Sequence, residues 1–134
     1  MDIAKMNDVR DRVPSFGSDE WMMEQLLALL VQIRKRIDNI HEELRKNPPT
    51  SVDLDAYHYA RIPRRQKKLW KYLRSLAQQH TWIKPGEDSD VLDIEPSQPA
   101  GGFASKVAEY LEAKAIVEEL QNAGIEAEFQ SSYR

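Results

Sequence analysis

Seven cationic side chains, Arg61, Arg64, Arg65, Lys67, Lys68, Lys71 and Arg74, fall within residues 61–74, and no aspartate or glutamate interrupts them. Cations repeated along one helical face follow successive phosphates and release counterions condensed on a polyanion. These residues are therefore candidates for contact with a nucleic-acid backbone. A second reading keeps the charge inside the molecule. Residues 1–60 carry 8 basic and 11 acidic groups and residues 75–134 carry 4 and 11, so the net charge of −3 arises by cancellation between a basic centre and two acidic flanks. On this reading the cations are solvated or pair with the chain's own carboxylates. An acidic protein partner, or a membrane surface met by an amphipathic helix, would draw on the same pattern. A pI near 5.6 speaks against a general polyanion binder.

Other chemistry-bearing residues lack the spacing their chemistry needs. His41-Glu42-Glu43-Leu44-Arg45 begins like a zinc-protease helix, but the second histidine is replaced by Arg45. His58 and His80 stand apart with no ligand spacing. Asp88, Asp90, Asp93 and Glu95 suggest a calcium loop only until Leu92 falls at the third ligand position. Gly101-Gly102 precedes a helix, yet no lysine-serine pair or spaced third glycine follows. With no cysteine there is no disulfide, thiolate ligand or thiol nucleophile. No nucleophile-base spacing or nucleophile elbow occurs. The chain is read as non-enzymatic, with no cofactor and no metal.

The elements that must carry the cations are mostly helical in pattern. Ser18 is a good N-cap, followed by Asp19 and Glu20 where carboxylates complement the helix dipole. Met23, Leu26, Leu30, Ile33, Ile37, Ile40 and Leu44 then alternate steps of three and four over three heptads, until Asn47-Pro48-Pro49 stops the run. This helix of about 29 residues would be roughly 43 Å long. The seam either zips against a second copy, giving a homodimer, or packs within the monomer against helices at 63–80 and 103–123. The expectation favours self-association, because the three heptads outlast those shorter helices.

From Pro63 to His80, Leu69, Trp70, Tyr72, Leu73, Leu76 and Ala77 share one side and Arg64, Lys67, Lys68, Lys71 and Arg74 the other. Residues 52–60 read as a short helix or an extended piece through Tyr57-His58-Tyr59. Thr81 to Lys84 and Asp90 to Ile94 are candidate short extended segments, and Ile125 to Phe129 alternates like a strand that needs a partner. Four regions are expected: an N-terminal arm at 1–17, a helical region at 18–86, an acidic Pro/Gly linker at 87–102, and a C-terminal helix and strand at 103–134. The fold class is mainly α, with an α+β arrangement containing a small sheet as the alternative.

At this length one domain with a real core is expected. Mean hydropathy of −0.65 and an apolar stretch no longer than Leu26 to Val31 exclude a membrane-spanning helix. No cleavable leader is recognisable, and a cytoplasmic location is expected. The function expected is a small, dimeric, non-enzymatic nucleic-acid-associated protein that contacts phosphates through the basic helix. The alternative is a helical adaptor or assembly factor that binds protein partners through its apolar seam and acidic linker.

Overall fold

The computed structural model describes residues 18–50 and 55–133, so the expected N-terminal arm at 1–17 lies outside the described residues. Seven elements follow in chain order: α1 (Asp19–Lys46), β1 (Ala56–Arg61), α2 (Lys67–Gln79), β2 (Ile83–Pro85), β3 (Val91–Ile94), α3 (Gly102–Asn122) and β4 (Glu128–Tyr133). No helix among the described residues is long and apolar enough to cross a membrane.

α1 begins as its sequence demands. The Ser18 hydroxyl accepts the Trp21 amide at 3.2 Å, Asp19 and Glu20 occupy the positive end of the dipole, and Arg45 and Lys46 the negative end. α3 is rich in alanine where it meets other elements, with Ala108, Ala113 and Ala115 buried beside Ile116, Val117 and Leu120. Small side chains let its backbone approach both α1 and β1, the two elements it packs on most extensively. α2 rests against β2 and α1 through Trp70, Tyr72, Leu73 and Leu76, all buried.

The mainly α expectation is corrected: the strands form one four-stranded antiparallel sheet in the order β2-β3-β1-β4, and the fold is α+β. Each strand lies within or beside a segment whose extended character was visible, but the pairing that joins them is non-local. β1 meets β4 along its whole length, with Ala56 opposite Tyr133 and Arg61 opposite Glu128. Short strands satisfy their backbone groups only in company, so four weak local signals become one stable sheet. β4 also begins three residues later than the alternation suggested, because the turn at Ala123-Gly124, with Gly124 at φ +83°, and the irregular residues 125–127 deliver the chain to β1 only at Glu128.

The middle of the heptad seam packs inside the chain. Leu26, Leu30, Ile33 and Ile37 are buried in a single core with Ile62, Leu73, Leu92, Ile116 and Leu120, while Met23, Ile40 and Leu44 are half-buried. The last buried position on α1 is His41 rather than Ile40. A straight helix drifts about 20° per heptad relative to a strict 3.5-residue repeat, so the face turned to the core moves off the seam by the C-terminal half.

The segment expected to be an acidic linker contains β3, and its continuation is fastened to one row of α1. Arg34 donates to the Glu95 carbonyl at 3.1 Å. Asp38 accepts the Ser97 amide at 2.7 Å and the Ser97 hydroxyl at 3.0 Å, and Arg45 donates to the Gln98 carbonyl. Between them His41, 3% exposed, accepts the Ala100 amide at Nδ1 at 2.7 Å. Its proton therefore sits on Nε2, which donates to the Glu112 carboxylate.

Burial raises the Glu112 pKa above its ordinary 4.5, against the lowering effect of the His41 hydrogen bond; Asp93 and Glu109 add to the rise. A raised folded-state pKa means that the stabilising contribution is present below pH 4.5 and is lost as pH climbs through the folded value. Glu112→Gln keeps an acceptor for His41 and removes the titrating charge. Thermal melts from acid to neutral pH are expected to show the variant gaining on the parent as pH rises; parallel profiles would refute this account of the pair.

Candidate anion-binding surface

The basic segment spans the end of β1, a turn at Arg64-Arg65, and α2. Pro63 ends the extended chain, and the α2 N-cap Gln66 uses its side-chain amide on the Glu126 carbonyl at 2.7 Å rather than on the helix. The first turn of α2 thus has no side-chain cap and no carboxylate. It has Lys67 and Lys68 instead, with Arg64 and Arg65 just ahead. This places cations at the positive end of a helix dipole, where an anion is favoured and a cation is not.

The acidic flanks neutralise part of this charge. Arg61 bridges Asp90 at 2.6 Å and Glu128 at 3.1 Å, so it ties β1 to the loop before β3 and to β4. Arg65 pairs with Glu126. Lys68 lies 3.7 Å from Asp19 and 5.9 Å from the Tyr72 ring. The Tyr72 hydroxyl donates to Asp19 at 2.7 Å; with Lys68 and Lys71 it holds the Asp19 carboxyl below its ordinary pKa.

The other four have no carboxylate partner within ion-pair distance among the described residues. Arg64 donates to the Asp88 carbonyl, and Arg74 lies 5.3 Å over the Trp70 ring. Lys67 and Lys71 make neither a hydrogen bond nor an ion pair among the described residues. All four are exposed, and Lys67, Lys71 and Arg74 follow the i, i+4, i+7 spacing of a single helical face. Arg64, Lys67 and Arg74 converge with Ser89 and Trp70 on an open cavity of about 190 Å³.

Ser89 was invisible as a site residue from sequence. It lies in the turn between β2 and β3, and only the antiparallel pairing of those strands swings it toward α2. Gly86 lies against it, so a side chain there would displace the Ser89 hydroxyl. The residues expected to self-associate lie elsewhere, in the core and along α1.

A larger cavity of about 450 Å³ opens between the N-terminal half of α1 and α2. Met22, Leu26, Leu29, Leu69 and Ile125 give it an apolar lining, with Lys68 among its few polar groups. Comparison with protein families, curated proteins and solved structures finds no match to this chain.

Proposed function

We propose that the chain is a non-enzymatic polyanion-binding protein that docks the exposed face of α2 on the phosphate backbone of nucleic acid. One observation carries the reading. Among the described residues, carboxylates reach Arg61, Arg65 and Lys68 within ion-pair distance, but none comes that close to Arg64, Lys67, Lys71 or Arg74, and the helix that carries the last three starts without a side-chain cap. Lys67 to Arg74 spans roughly 10 Å of helix axis, about three base steps of a duplex strand. The aromatic ring that lines the cavity with Arg64, Lys67 and Arg74, Trp70, is 3% exposed and lies under Arg74. It offers no stacking platform for an unpaired base, so the surface suits backbone contact with little base readout.

Fluorescence anisotropy with labelled duplex and single-stranded oligonucleotides across a salt series tests this. Four phosphate contacts give a slope of log K against log salt of about −3.5 on duplex DNA. Absence of salt-dependent binding to either oligonucleotide ends the proposal.

A second reading, a protein-binding adaptor, rests on the apolar cavity between α1 and α2. It predicts partners in a native extract whose capture survives nuclease treatment and is lost in Leu69→Glu.

A further inference from the structure

The two edges of the sheet are built differently. β2, at one edge, has three residues and includes Lys84 and Pro85. Shortness, a lysine and a proline are the devices that keep an edge strand from pairing with another chain. β4, at the other edge, has six residues and pairs among the described residues with β1 alone. From Phe129 to Tyr133 it reads Phe-Gln-Ser-Ser-Tyr, with neither charge nor proline. Register with β1 puts Phe129, Ser131 and Tyr133 on the face where α3 packs, opposite Ala60, His58 and Ala56. α3 covers this face incompletely, since Phe129 remains 37% and Tyr133 83% exposed. Among the described residues, the outer edge of β4 thus has no strand beside it and runs along uncovered aromatic surface.

We propose that β4 is a homodimer interface, pairing antiparallel with the β4 of a second copy about a twofold axis at Ser131 to give a continuous eight-stranded sheet. A second copy is favoured over an unrelated strand because β4 complements itself. With Ser131 opposite Ser131, Phe129 faces Tyr133 twice, and aromatic cross-strand pairs are favourable. Gln130 faces Ser132, an uncharged pair. No like charges meet. The antiparallel arrangement supplies the isologous contact that a closed dimer needs. The proposal is independent of the anion-binding surface, and it places self-association on the sheet edge rather than on the heptad seam.

The chain contains no cysteine, so one introduced thiol reports the register directly. Directly opposed residues have Cα atoms about 4.5–5.5 Å apart, within disulfide range. Ser131→Cys should give a covalent dimer on mild oxidation. Ser132→Cys should not, because its twin lies on the diagonal at about 7–8 Å, too far to bridge. Light scattering of the full chain should return twice the 15.5 kDa monomer mass. Ser131→Lys, which opposes two ammonium groups on the axis, should return the monomer with unchanged circular dichroism. A monomeric parent, equal cross-linking at both positions, or a dimer untouched by Ser131→Lys overturns the proposal. The near-isosteric cysteine variant keeps the register test valid should the lysine variant misfold.

Discussion

Reversing Lys67, Lys71 and Arg74 to glutamate together is expected to lower duplex affinity by more than a hundredfold at physiological salt and to flatten its salt dependence. Each phosphate contact contributes about 0.9 to the logarithmic salt slope, which at 0.15 M corresponds to roughly 0.7 log unit of affinity. Losing three contacts removes about two log units, and the introduced carboxylates add repulsion. The residual slope should fall to about −1, the contribution of Arg64. The comparison variant is Arg65→Gln. Arg65 is as exposed as the others but already pairs with Glu126, so its loss should cost severalfold less than loss of Lys67. Equal losses would mean that the ion pairs do not sort the cations and that overall charge drives binding. Exposed positions tolerate substitution within about 0.5 kcal/mol. Arg74 is the exception, because it covers Trp70, and the melting temperature of each variant separates a binding loss from unfolding.

The basic face of α2 was legible because helical periodicity and charge are local properties. Leu69, Trp70, Leu73 and Leu76 alternate with Lys67, Lys71 and Arg74 at spacings no sheet would use. Which cations stay unpaired was not legible. Glu126 and Glu128 lie more than fifty residues from Arg65 and Arg61 in sequence, and strand pairing brings them together. The sheet was hidden for the same reason. β1 exposes Tyr57 and buries Ala56 and Ala60, so its hydropathy does not mark the face that enters the core. The seam is open to two readings for another reason. Heptad spacing describes a continuous apolar stripe, and a stripe shows neither how many elements cover it nor whether they belong to the same chain. Leu26, Leu30, Ile33 and Ile37 are covered by α2, α3 and the sheet of the same chain.

Truncating the seam should therefore give graded losses of stability. Leu30, Ile33 and Ile37 have no exposed surface and share a core with Leu73, Leu92 and Ile116. Leu30→Ala or Ile33→Ala removes that burial and leaves a cavity bounded by several elements that cannot all collapse into it; such changes cost about 2–5 kcal/mol. Set against a total stability of about 5–15 kcal/mol, either could leave the domain marginal. Leu44→Ala, at a half-buried position on the last turns of α1, should cost about 1 kcal/mol, because neighbouring side chains and water refill the site. An interchain zipper predicts otherwise, with Ile33, Ile37, Ile40 and Leu44 costing similar amounts and a melting temperature that rises with protein concentration. The experiment belongs in the Ser131→Lys background, where edge pairing is removed and any remaining concentration dependence belongs to the seam. Urea titrations showing a steep loss at Leu30 and Ile33, a shallow one at Leu44, and midpoints independent of concentration would establish that α1 spends its heptads on the core and leaves the basic face of α2 and the edge of β4 for other molecules.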